Sequence, residues 1–116
     1  MSGVNLAEKL ATFSEAWQPR TVMQFNGHDV MLAKMSGEFV WHKHDDTDDF
    51  FLVLSGRIAI ELRTHTVELG PGELYIVPRG VEHRPIAREE SAVLLIEPTG
   101  TPNTGDAATA APRRVI

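Results

Sequence analysis

The residues able to do chemistry gather in one stretch, Gly37 to Gly56, GEFVWHKHDDTDDFFLVLSG. His42 and His44 stand one residue apart in a run, Phe39–His44, with the character of a β-strand. Side chains two apart on a strand share a face, so the two imidazoles point the same way. Asp49 follows an acidic turn, Asp45–Asp48, and heads the apolar run Phe50–Leu54. A second stretch, GELYIVPRGVEH from Gly72 to His83, supplies one more histidine after the turn Pro78-Arg79-Gly80. Three imidazoles and a carboxylate make a nitrogen-and-oxygen donor set. Such a set suits a divalent transition ion (Mn, Fe, Co, Ni or Zn) and selects none of the five.

Strand parity sharpens the expectation. Val40 joins His42 and His44 on the inward face while Trp41 and Lys43 face away, and Asp49 joins Phe51 and Val53. An inward carboxylate needs a cation or a charged partner, because burying it unpaired is expensive. Asp45, Asp46 and Asp48 read as a solvated turn, with Asp48 the fallback ligand if the register differs. His28 and His65 fall in or beside hairpins and read as surface residues. Trp41, Tyr75, Arg79 and Arg84 are candidates for a pocket rim. Gly56, Gly72 and Gly80 have backbone duties in turns, and there is no GxGxxG, phosphate-loop or Ser-His-Asp pattern.

The elements that must position these residues are short strands. Val4, Leu6, Leu10 and Phe13 recur near helical spacing, which predicts a helix over 4–16 with Asn5 as its cap. Beyond Pro19 the pattern is β almost throughout. It predicts strands at Thr21–Phe25 and His28–Met35 around an Asn26-Gly27 hairpin turn, with Ser36-Gly37 ending the second. Further strands are expected at Phe39–His44, Asp49–Leu54, Arg57–Arg63, His65–Leu69, Leu74–Val77, Val81–Pro85 and Ala92–Ile96. In the third of these, Ile58, Ile60 and Leu62 alternate with charged residues, the mark of a half-buried strand. Many short strands separated by Gly and Pro turns predict an all-β sandwich or barrel. Residues 99–116, rich in Thr, Ala, Gly and Pro, read as a tail, loosely ordered or laid along the domain or a neighbouring subunit.

Composition sets the outer bounds. A chain of 116 residues, 42% hydrophobic and 23% charged, is long enough for one core and too short for two. Its net charge of −5 argues against nucleic-acid or anionic-membrane partners, which require basic patches. The absence of cysteine removes disulfides, thiolate zinc sites and cysteine nucleophiles together. The first residues lack the basic and apolar regions of a secretory signal, and no apolar run approaches the length of a membrane span. A cytoplasmic protein is the expectation.

The two stretches resemble the paired motifs of the cupin superfamily. Gly37, His42, His44, Asp49 and Gly56 match the first, with one residue fewer between the first glycine and the first histidine and Asp49 in place of the usual glutamate. Gly72, Pro78, Gly80 and His83 match the second, with Ala87 where an asparagine commonly stands. The resemblance, which spans about residues 30 to 97, implies a small single-domain cupin, a double-stranded β-helix or jelly-roll barrel, and frequently a homodimer. With the element pattern, the expected organisation is a helical segment at 1–18, the barrel over 19–98 and the tail at 99–116. The resemblance also implies a metal near one open mouth, held by His42, His44, Asp49 and His83. Proteins of this kind include dioxygenases, isomerases and lyases, and also non-catalytic modules that bind sugars or acids. The expectation is a metal-dependent enzyme acting on a small oxygenated metabolite in a pocket lined by Val40, Phe51, Val53, Ile58 or Ile60. The alternatives are a non-catalytic binding module and, less well supported by four surviving ligands, a scaffold with a vestigial site.

Overall fold

A computed structural model describes residues 2–116; Met1, the first residue of the expected 1–18 segment, lies outside them. In chain order the elements are α1 (Leu6–Leu10), β1 (Arg20–Phe25), β2 (His28–Glu38), β3 (Asp49–Ser55), β4 (Ile58–Leu62), β5 (Thr66–Leu69), β6 (Leu74–Val77) and β7 (His83–Pro98). Every pairing between strands is antiparallel, and the architecture is the expected all-β barrel with a short N-terminal helix. No helix among the described residues is long and apolar enough to cross a membrane.

The sheet is assembled on β7. Along its length β7 pairs with β2, from Glu38↔Ile86 to His28↔Pro98. On its other edge it pairs first with β4, from Leu62↔His83 to Ala59↔Ile86, and then with β3, including Leu52↔Leu94. β5 extends β4, β6 extends β3, and β1 extends β2. A strand that exchanges one neighbour for another midway divides the sheet into two leaves, which close on a shared core. Met35, Phe51, Val53, Ile58, Ile60 and Val93 lie at the centre of that core. The alternation expected of Ile58, Ile60 and Leu62 is present.

Three element boundaries differ from the sequence expectation. The strands expected at Val81–Pro85 and Ala92–Ile96 merge into the one 16-residue strand β7, which begins at His83. The polar run Arg88-Glu89-Glu90 between them, exposed where β7 leaves β4 for β3, disguises the continuity. β2 continues through Ser36-Gly37, where the register shifts and Gly37 adopts φ +77°, so a bulge bends the strand without ending it. The helix is five residues long. Asn5 caps it by accepting from Glu8 N at 3.0 Å, and the chain unwinds after Leu10. Unwinding lets Phe13 join Val22 and Leu32 in a second apolar cluster behind the sheet, under the cations of Arg20 and Lys34.

The segment after Pro98 is laid back along the domain, one of the placements expected for it. Thr21 N donates to Arg114 O at 2.7 Å and Ile116 N to Thr21 O at 2.9 Å, which seats the end of the chain beside β1.

Candidate metal centre

Phe39–His44 is not a ladder strand; it is a loop pinned to the start of β7. His42 and His83 exchange both backbone hydrogen bonds, at 3.0 and 2.9 Å, and Phe39 N donates to Pro85 O at 3.0 Å. Gly80, at φ +77°, completes the turn and donates its N–H to His44 O at 2.8 Å. Two histidines facing each other across an antiparallel bridge have neighbouring side chains. Their rings lie 4.4 Å apart, and the His42 and His44 rings 5.1 Å apart. Parity thus brings His42 and His44 to one side as expected. It fails for Val40, which is 52% exposed, because β2 ends at Glu38 and Val40 lies in the loop that follows.

β3 supplies the carboxylate. Asp49, Phe51 and Val53 are buried on one face, as expected, while Phe50, Leu52 and Leu54 are only half-buried. Asp49 Oδ2 lies 2.7 Å from His83 Nε2 and 3.3 Å from His44 Nε2. One donor atom from each of His42, His44, Asp49 and His83 falls within 4.8 Å of the others, and all four residues are buried. Ligands about 2.1 Å from an ion stand about 3–4 Å from one another, so this spacing matches the shell of a bound cation. Asp48, the fallback, points elsewhere and accepts from Arg79 N at 2.9 Å on the surface.

Two of the imidazoles are oriented by their own backbone. His42 Nδ1 lies 2.9 Å from Val40 O and His83 Nδ1 lies 2.9 Å from Val81 O, each a carbonyl two residues earlier. Each Nδ1–H therefore donates to a carbonyl, and each Nε2 faces the centre of the group. Burial pushes the His42 imidazole down to about 4, aided by the nearby His83 and His44 and opposed by Val40 O and Asp49. It is neutral at pH 7, the form that ligates metals. Burial works to raise the Asp49 carboxyl, but hydrogen bonds from His44 and His83 outweigh it, and the group is held well below the ordinary carboxylate range.

The cluster opens onto a cavity of about 460 Å³, within the usual range for small-molecule sites. Of the lining expected from sequence, Phe51 is present; Val40, Val53, Ile58 and Ile60 are not. Val53, Ile58 and Ile60 are sealed in the core. The walls come instead from the inward row of β2 (Met31, Ala33, Met35), from Leu95 on β7, and from Trp17, Phe39 and the C-terminal segment. Trp17 stacks on Phe39 at 4.7 Å, and Phe39 meets His42 edge-on at 5.3 Å. None of Trp41, Tyr75, Arg79 and Arg84 lines it. Arg63 and Arg84 lie over the Trp41 ring on the outer surface, a cation–π arrangement.

Sequence reasoning missed two carboxyls. Glu97 lines the cavity, is 5% exposed, and its Oε2 has no hydrogen-bond partner. Burial first, and then the Asp49 carboxylate beside it, push the Glu97 carboxyl up to about 11, so it is neutral at pH 7. Asp29 is its cross-strand partner on β2 and accepts both Nε and Nη2 of Arg113, at 2.7 and 3.0 Å. Extending parity one residue past Ile96, through Val93 and Leu95, would have placed Glu97 inside. His28 is half-buried and His65 exposed, and neither joins the cluster.

An antiparallel β-barrel carrying a buried three-histidine, one-carboxylate group that could hold a metal ion, beside a cavity, defines the class of small β-barrels with a candidate metal site. The chain belongs to the cupin family: the family model described as "Cupin domain" matches residues 29–97. It is 33% identical over 91 residues to the uncharacterized protein YdbB of Bacillus subtilis (strain 168), covering 78% of this chain and 74% of that protein. The crystal structure of a cupin-2 domain containing protein from Shewanella frigidimarina aligns at 42% identity and a TM-score of 0.81, over 82% of this chain and 93% of that one. Hydroquinone 1,2-dioxygenase from Sphingomonas sp. TTNP3, solved with 4-nitrophenol, aligns at 20% identity and a TM-score of 0.74. That alignment covers 84% of this chain and 32% of the dioxygenase, a likeness of fold alone.

Proposed function

We propose that this protein binds one divalent transition-metal ion through His42, His44, Asp49 and His83 and acts as a metal-dependent enzyme on a small oxygenated molecule held in the adjoining cavity. The observation that carries the reading is the contact between His83 Nε2 and Asp49 Oδ2 at 2.7 Å. With Nδ1–H donated to Val81 O, His83 presents Nε2 to the Asp49 carboxylate. A buried imidazole nitrogen and a carboxylate at that distance need a positive charge between or beside them, a proton or a metal ion. A metal ion shared with His42 and His44 supplies it and leaves the site at +1, with positions open for a ligand.

When bound, such an ion polarises a carbonyl or hydroxyl oxygen or supports oxygen chemistry, which covers the dioxygenase, isomerase and lyase types. The protein's own residues do the rest. Val40 O and Val81 O fix the imidazole orientation, and Met31, Met35, Phe39, Phe51 and Leu95 exclude water from one side of the ligand. In this reading residues 19–98 carry the site, Val4 to Phe13 pack behind the sheet, and 99–116 close the cavity. The exposed Leu74 and Ile76 on β6, the end strand of the sheet, support a homodimer through that edge.

The test is elemental analysis of protein purified without added metal or chelator, followed by an oxygen-uptake screen with catechols, diketones and hydroxy acids. Turnover that is lost in His83→Ala together with the metal upholds the reading. A second reading, a non-catalytic module that binds a sugar or acid, draws on the wall chemistry. Apart from the four ligands, the carboxyls in the cavity are Glu97 and the Arg113-bound Asp29. Stoichiometric metal with ligand binding and no conversion would favour it.

A further inference from the structure

The C-terminal segment spans the cavity without filling it. Protein interiors close-pack, so a chain held over a void of about 460 Å³ is kept there by its anchors. These are polar and specific. At its start, Thr99 N donates to Gly27 O at 3.0 Å and Thr99 Oγ1 to Asp29 Oδ1 at 2.9 Å. In its middle, Asn103 Nδ2 donates to Trp17 O at 3.1 Å while Asn103 Oδ1 accepts from Ala111 N at 2.9 Å. Near its end, Arg113 grips the buried Asp29 with both Nε and Nη2. Gly105, at φ +78°, lies so close to Lys43 O that any Cβ would overlap it, which presses the segment against the loop that carries His42 and His44. It lines the cavity with small apolar residues, among them Pro102, Ala110 and Pro112, and with the polar Thr101, Asn103 and Arg113.

We propose that residues 99–116 are the specificity-determining wall of the ligand cavity. Fastened by the Asp29–Arg113 pair and by Asn103, the segment sets the size of molecule that reaches the histidine cluster and restricts it to compact compounds. The inference rests on the reading that this cavity holds the ligand, but not on the ion.

The chain has no cysteine, so a single Met31→Cys substitution places one thiol on the cavity wall. Its modification is followed with iodoacetamide, which is small, and with fluorescein-5-maleimide, which is bulky. In the otherwise native chain the bulky reagent is nearly excluded while the small one reacts. Adding Arg113→Ala raises the bulky reagent's rate about tenfold, since a charge-assisted bidentate contact no longer holds the closed state, and a control thiol at the exposed Thr64 reacts at an unchanged rate. Ala110→Trp, which leaves every anchor in place, slows the small reagent. Unchanged rates in both variants overturn the proposal; if Arg113→Ala does not fold, Ala110→Trp decides alone. The same labelling in His83→Ala protein without metal separates this test from that of the ion. A cavity wall that behaves as described there stands even if no metal binds.

Discussion

Replacing Asp29 by asparagine removes the anchor of the C-terminal segment, and the size of the effect follows from the contacts. The Asp29 side chain is 3% exposed and accepts from Arg113, Thr99 and Thr21. The Arg113 hydrogen bonds lead, and with those from Thr99 and Thr21 they outweigh burial, holding the Asp29 carboxyl down to about 2 against an ordinary 3.8. A shift of this size corresponds to roughly 2.5 kcal/mol. Arg113, however, is 42% exposed and water screens the pair, so about half of that, ~1.2 kcal/mol, is the expected net loss. For 116 residues the unfolding entropy is about 0.24 kcal/mol/K, which makes the expected fall in Tm about 5 °C. The sign of the pH dependence is fixed. A carboxyl whose folded pKa is depressed stabilises fully above its unfolded value and loses that contribution as pH falls through the folded one. The difference between the native chain and Asp29→Asn is therefore constant above about pH 5, roughly halved near pH 3, and gone below about pH 2. Urea unfolding followed by the fluorescence of the two tryptophans, at pH 7 and pH 3, measures it. Equal stabilities at pH 7, or a gap as wide at pH 3, would show that the charge on Asp29 does not hold the segment.

Three further outcomes are expected. Gly56→Ala, at φ +81° with a Cβ 2.8 Å from Ser91 Cα, costs upwards of about 3 kcal/mol, whereas Gly72→Ala, also at φ +81° but in open space, costs only about 1 kcal/mol; urea midpoints rank the two. Glu97→Leu removes the neutral carboxyl beside Asp49 and weakens metal affinity about tenfold, while Glu97→Gln, which keeps a donor, restores most of it in a competition assay with a chromogenic chelator. A divalent ion at about 100 times its Kd stabilises the folded state by about 2.7 kcal/mol and raises Tm by about 11 °C; differential scanning calorimetry with and without EDTA reads the shift, which His83→Ala should abolish.

The site was largely legible because its residues are encoded locally. His-x-His and Pro-x-Gly-x-x-His each set a side-chain direction within a few residues, and Asp49 opens a strand whose alternation is plain. Cavity walls are not encoded in that way. Val53, Ile58 and Ile60 face inward, as parity says, but inward on this barrel means two places, sealed core or open mouth, and which one depends on how the leaves close. Val40 departs from parity because its segment is a loop rather than a strand, in which its carbonyl orients His42. β7 was cut in two since its middle is polar where it changes neighbours, and Glu97 fell just past the end assigned to its second part. The C-terminal segment carries no periodicity to read, and its placement depends on partners 70 or more residues away, such as Arg113 with Asp29 and Asn103 with Trp17.

The most direct measurement of the central claim is a cobalt titration of metal-free protein, followed by absorption spectroscopy, with stoichiometry from equilibrium dialysis and elemental analysis. One equivalent should bind with ligand-field bands of a nitrogen-and-oxygen site, and binding should be lost in His42→Ala and His83→Ala variants that remain folded. No binding by the native chain, or undiminished binding by both variants, would contradict the assignment of His42, His44, Asp49 and His83 as a metal centre.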